Sequence, residues 1–181
     1  MTEQQTKENK ANPMRKLKID KVTLNIGAGK DQAVLDKGLK LIEHITGTKA
    51  VQTVTQKRIP DWGIRPGLPI GCKLTLRGKK AIELLNILLG GIEHRMNEKQ
   101  FDDKGNVSFG IKEYIDIPDV KYSPDIPLMG LSVCISLKRA GFRIKERRIT
   151  KRKIGKKHMI TKEEAISFIK SKFNVKMGED E

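Results

Sequence analysis

The sequence holds 181 residues, 37% of them hydrophobic, enough for one core of ordinary size and hardly for two. Lysine and arginine number 37 against 22 acidic residues, so the formal net charge of +15 points to a polyanionic partner, nucleic acid or an anionic surface. No membrane route is visible, because the N-terminus has no apolar signal-like run and the most apolar stretch, Ala81 to Ile92, is short and broken by Glu83 and Asn86; the distant Cys72 and Cys134 form neither a disulfide framework nor a metal-ligand spacing, which fits a reducing cytosol.

Residues 1–13 are polar and aperiodic and read as a flexible tail, leaving residues 14–181 as one domain. From Lys18 to Ile26 the chain alternates, with Val22, Leu24 and Ile26 on one face and Lys21, Thr23 and Asn25 on the other, which predicts a half-buried strand. Gly27-Ala28-Gly29 ends it, and Leu35, Leu39, Ile42 and Ile45 then recur at helical spacing over Asp31 to Thr46, stopped by Gly47. A second strand is predicted over about Lys49 to Thr55. Residues 56–69, with three prolines and two glycines, read as a long exposed loop.

The third strand, Ile70 to Arg77, sets Cys72, Leu74 and Leu76 against Lys73, Thr75 and Arg77. A strongly apolar helix follows from about Lys79 to Met96, placed to fill the core. After a loop at Asp102 to Gly105 comes an extended stretch, Val107 to Ile117. Another strand, Leu131 to Lys138, points Leu131, Val133, Ile135 and Leu137 inward and Ser132, Cys134 and Ser136 outward. Thr161-Lys162-Glu163-Glu164 is a capping box for a last helix over about 161–173, whose stripe is Ala165, Ile166, Ile169 and Phe173. Clean alternation means that helices cover one sheet face and leave the other open. The predicted architecture is α+β, a ferredoxin-like or RRM-like antiparallel sheet with helices on one face, plus the basic C-terminal segment and helix.

The outward set Lys21, Thr23, Asn25, Lys73, Thr75, Arg77, Ser132 and Ser136 suits phosphate and 2′-hydroxyl groups, although an ordinary solvated face has the same pattern. Sheets that read single strands stack bases on aromatic residues, and this face carries none. Folded, largely double-helical RNA is therefore the better match. Residues 138–158 concentrate the charge, with eleven Lys or Arg (Lys138, Arg139, Arg143, Lys145, Arg147, Arg148, Lys151, Arg152, Lys153, Lys156 and Lys157) against Glu146 alone. Such density repels itself unless an anion neutralises it, and phosphate contact is its natural use.

Gly27-Ala28-Gly29-Lys30-Asp31 lies between a strand and a helix, where phosphate-binding loops sit. It lacks the glycine spacing and the Ser or Thr of a Walker loop, and Gln32 stands where a dinucleotide fingerprint needs its third glycine. A tight turn is the plain reading; a nucleotide-binding enzyme is the alternative it leaves. His44, His94 and His158 have no Cys or carboxylate cluster beside them, so no metal, cofactor or catalytic residue is expected. Trp62 fits either a buried staple for its loop or an exposed stacking residue.

Leu24-Asn25-Ile26-Gly27-Ala28-Gly29, Ile45-Thr46-Gly47, the run from Gly67 through Gly78 (GLPIGCKLTLRG) and Phe109-Gly110-Ile111-Lys112-Glu113 occur in order. Together they resemble the universal large-subunit ribosomal protein L-five family from Pro13 onward. The tail from Ile154 to Ala165 resembles its archaeal and eukaryotic branch, and the compact form favours an archaeon. The resemblance implies a cytoplasmic ribosomal protein that binds 5S rRNA and large-subunit rRNA in the central protuberance. It implies 5S contacts from Asn25 and Thr75, with Arg77 nearby; where many members carry Gln, this chain carries the shorter Thr48. It also implies that the 56–69 loop, with Lys57, Arg58, Trp62 and Arg65, reaches peptidyl-site tRNA, and that a small-subunit head protein is touched across the intersubunit bridge. A free-standing RNA chaperone or regulator would share the same surface.

Overall fold

Alternation along Lys18–Gly27 makes β1 the middle strand of a five-stranded antiparallel sheet. The computed structural model describes residues 12–178, so residues 1–11 of the expected tail lie outside it. β1 pairs with β3 (Pro69–Leu76) on one side and β6 (Leu131–Lys138) on the other. The edges are β2 (Val51–Val54), beside β3, and β5 (Asn106–Ile111), beside β6. Val22, Leu24, Leu74, Val133, Ile135 and Phe109 share the buried face.

Helix α1 (Gln32–Thr46) and helix α2 (Gly78–Gly90) pack on that face. Gly38 lets α1 settle close, since a Cβ there would lie 3.2 Å from Cys72 Sγ and 3.5 Å from Ile26 Cγ2. Gly47 ends α1 in the left-handed conformation, its N–H donating to Glu43 O at 2.8 Å. α2 buries Ala81, Leu84, Leu85, Leu88 and Leu89, and each leucine removed from water contributes about 1.5–3 kcal/mol.

The apolar run does not continue as helix to Met96. α2 stops at Gly90, where a Cβ would meet Pro118 Cγ at 2.6 Å, and Glu93 and His94 turn the chain back at φ 52° and 55°. Met96, 1% exposed, instead lies in a short strand β4 (Arg95–Asn97). It pairs in parallel with β7 (Lys176–Gly178), which is too short to show a period in the sequence. The extended stretch from Val107 likewise ends early: β5 closes at Ile111, and Tyr114–Asp116 is a 3-10 turn around the fully buried Tyr114.

Residues 56–69 are more regular than their prolines suggest. The β2–β3 ladder runs on through Thr55 N–H to Leu68 O (2.9 Å) and Gly67 N–H to Thr55 O (2.8 Å). Ile59 and Ile64 then exchange both backbone bonds at 3.0 Å, and Pro60–Trp62 forms the tip. Pro60 opens that turn, where no donor is needed, so it leaves the hairpin intact.

The basic segment is built from short pieces, helix α3 (Arg143–Glu146) and a turn at Lys156–His158. Helix α4 (Lys162–Phe173) follows with the predicted capping box: Thr161 Oγ1 accepts from Glu164 N–H at 3.4 Å, and Glu164 Oε2 accepts from Thr161 N–H at 3.2 Å. Ala165, Ile169 and Phe173 seat α4 in the same core.

Candidate nucleic-acid interface

Strand register decides which polar residues meet on the open face. Thr23 lies opposite Thr75 on β3 and Cys134 on β6; Asn25 lies opposite Lys73 and Ser132; Lys21 lies opposite Ser136. The Thr23 and Thr75 hydroxyls are 3.4 Å apart. Asn25, Lys73, Thr75, Ser132 and Cys134 are exposed, while Lys21, Thr23 and Ser136 are half-buried among them. The surface that results is flat, hydroxyl-rich and free of carboxylates at these positions, and it can donate to phosphate and sugar oxygens along a helical backbone.

β5 widens this face with residues the sequence reading did not assign. Asn106, Ser108 and Gly110 stand opposite Ser136, Cys134 and Ser132, all three exposed. The signal was the alternation of Val107, Phe109 and Ile111, hidden by reading the stretch to Ile117 as one piece.

Arg77 does not stand among the hydroxyls. It sits at the end of the sheet, 3.7 Å from the carboxylate of Asp20, which also accepts from Lys138 Nζ at 2.6 Å. Asp20 is 8% exposed, at a bulge in the β1–β6 register. Two cations share one carboxylate there, so the corner keeps a net positive charge. Thr48 is half-buried beyond α1, and its N–H donates to Thr46 Oγ1 at 3.3 Å.

The basic segment divides by burial. Arg143, Lys145, Arg148, Lys151, Arg152, Lys153, Lys156 and Lys157 are exposed. Arg147 is half-buried and braces its own loop, donating through Nε (3.0 Å) and Nη2 (2.7 Å) to Thr150 O. Arg139 is 3% exposed and donates to Glu164 Oε2 at 2.6 Å and to the carbonyls of His158 and Met159. It belongs to the scaffold rather than to the charged surface, which composition could not reveal.

A cleft of about 580 Å³ opens in this segment, floored by Phe142, Met159 and Ile160 and rimmed by lysines and an arginine. At the far end of the sheet, the hairpin tip exposes Lys57, Arg58 and Arg65 and leaves Trp62 67% exposed. Of the two readings of Trp62, the exposed one is the case. Burial pushes the Cys72 thiol up from its ordinary value, whereas Cys134 lies open in the middle of the polar face.

Among the described residues, no group of three or more His, Cys, Asp or Glu is arranged to hold a metal ion, and no helix is long and apolar enough to cross a membrane. The Gly27–Asp31 turn places Gly29 at φ 64° and starts α1 at Gln32 without a side-chain cap from Asp31.

Comparison with known proteins covers nearly the whole chain. Residues 12–65 match the family described as ribosomal protein L5, and residues 69–168 match the C-terminal part of the same ribosomal family. A large ribosomal subunit protein uL5 of Sulfurisphaera tokodaii is 47% identical over 180 residues, 99% of each chain. The protein of the same name from Methanosphaera stadtmanae is 46% identical, over 91% of this chain and 98% of its own. That of Nanoarchaeum equitans is 45% identical, again over 91% and 98%.

Proposed function

The chain belongs to the ribosomal protein L5 family and is a protein of the large ribosomal subunit, and from that premise we propose that it binds 5S rRNA through its open sheet face. It is a structural constituent of the cytoplasmic ribosome rather than an enzyme. The observation that carries the proposal is the juxtaposition of Thr23, Asn25, Lys73 and Thr75 on neighbouring strands, exposed or half-exposed and without an aromatic residue. Such a face recognises the backbone of a folded, double-helical RNA by hydrogen bonds to phosphate and 2′-hydroxyl oxygens.

In this reading the other surfaces divide the remaining tasks. The exposed cations of residues 143–157 neutralise phosphates of 5S and large-subunit rRNA and anchor one to the other in the central protuberance. Arg77 adds charge at the corner of the sheet, and Thr48 contributes at its edge. The hairpin tip, through Lys57, Arg58, Trp62 and Arg65, reaches peptidyl-site tRNA. A neighbouring small-subunit head protein completes the bridge.

The test is a titration of the purified protein with its own 5S rRNA and with an unrelated duplex of similar length, at two salt concentrations. A preference of about a hundredfold for 5S rRNA, equivalent to roughly 2.7 kcal/mol, that persists at the higher salt supports specific recognition. Equal binding that collapses with salt would reduce the surface to generic basic character.

A further inference from the structure

The cleft in the basic segment differs in kind from the open sheet face. Its rim carries Lys104, Lys145, Lys151, Arg152, Lys153 and Lys156, and no carboxylate residue lines it among the described residues. Its floor is apolar and includes an aromatic ring: Phe142, half-buried, meets the His158 ring edge-on with centroids 6.0 Å apart. His158 is itself held, its Nε2 2.8 Å from Ala140 O. Arg147 donates to Thr150 O, and Arg152 N–H donates to Ile144 O at 3.2 Å, which ties the stretch that carries Lys151 to Lys153 back to α3.

One rim cation comes from elsewhere in the fold. Lys104 lies on the turn before β5, and the next residue, Gly105, adopts φ 75°. A Cβ on Gly105 would meet Ile160 Cγ2 at 2.6 Å. Glycine thus lets that turn rest directly on the floor of the cleft and brings Lys104 to its rim.

Phosphates along a regular duplex need cations and gain nothing from an apolar floor. A ring of cations around an aromatic and a thioether suits a ligand with negative charge outside and a flat apolar face inside. We infer that the cleft of Phe142 and Met159 takes one unpaired nucleotide of the bound RNA, its base on the floor and its flanking phosphates on the rim. The inference rests on the RNA-binding role proposed above and adds an extruded base to the duplex backbone read by the sheet.

The full chain is titrated by fluorescence anisotropy with a hairpin RNA carrying a single-adenosine bulge and with the same hairpin fully paired. The wild type binds the bulged hairpin about tenfold more tightly, the gain typical of one base stacked on an aromatic side chain. Phe142→Leu, checked for folding by thermal melting, and Met159→Gln at an exposed position each shrink that margin while keeping the affinity for the paired hairpin. Equal affinity of the wild type for both hairpins, or an undiminished margin in both variants, overturns the inference. So does hexaglutamate competing with the bulged hairpin at equal charge concentration, which would assign the cleft to an acidic protein segment. Affinity for 5S rRNA, measured alongside, separates the two proposals: 5S selectivity without a bulge margin overturns the cleft alone, and a bulge margin without 5S selectivity overturns the 5S reading alone.

Discussion

The Arg139 guanidinium lies 2.6 Å from Glu164 Oε2, and that same oxygen accepts the N–H of Thr161 that opens α4. One carboxylate therefore both caps a helix and neutralises a cation that is 3% exposed inside the most basic stretch of the chain. The pair ties β6 to α4 and makes the basic segment a bounded loop between two anchored elements.

Removing Glu164 strands Arg139 as a buried, unpaired charge. Glu164→Ala is expected to cost about 2–3 kcal/mol, less than the loss of a partner from a fully buried pair because the Glu164 side chain is 39% exposed. The melting temperature falls by about 2–4 °C per kcal/mol. Calorimetry checks it; an unchanged melting point would mean that Arg139 finds another partner or water.

Cations on the outside of the same segment behave in the opposite way. Replacing Lys151, Lys153, Lys156 and Lys157 by Gln leaves stability within about 0.5 kcal/mol, since all four are exposed. The slope of log affinity for RNA against log salt drops by about three, one counterion-release increment per lost phosphate contact. A salt series on wild type and variant reads this directly.

On the sheet, Asn25→Ala and Thr75→Ala each weaken 5S rRNA binding by about 1–3 kcal/mol if a partner on the RNA is left buried and unpaired. Both positions are exposed in the protein alone, so thermal stability stays close to wild type. Filter binding measures the first effect and a melting curve the second. Wild-type affinity in both variants would remove these residues from the interface.

Cys134 offers a footprint without mutation. It is exposed between Thr23 and Ser108, whereas Cys72 is buried and its thiol is pushed up by desolvation, leaving less of the reactive thiolate. A maleimide is expected to label Cys134 quickly and Cys72 slowly. Saturating 5S rRNA slows Cys134 labelling if the RNA lies on this face; an unchanged rate places the RNA elsewhere.

Gly71→Ala tests why the third strand carries glycine at this point. A Cβ there would stand 2.6 Å from Ile26 O and 3.2 Å from Thr53 Oγ1. The nearest atom is backbone of the central strand and has nowhere to go. Destabilisation of about 2 kcal/mol or more is expected from the forced strand separation, measured by denaturant titration.

Period and composition were enough for the skeleton of this protein. Alternation in β1, β3 and β6 assigned the apolar inward residues and most of the outward ones, because a strand's faces follow from its period of two, while the buried Asp20 at its bulge and the buried Gly71 fell outside that pattern. The capping box at Thr161 and the glycine stop at Gly47 are chemistry local to a few residues, and both were legible. The site was half legible: Thr23, Asn25, Lys73 and Thr75 could be read as outward, but only the register placed them side by side. Distance along the chain hid the rest. The end of α2 depends on Pro118 lying against Gly90, the β4–β7 pair joins residues some eighty positions apart, and Lys104 reaches the cleft because Gly105 touches Ile160. Burial of Arg139 in the most basic stretch is likewise a contact across the fold, made by Glu164 from another element. Periodicity reports how a segment meets an average core, while these features are set by one particular neighbour, and only tertiary packing says which neighbour that is.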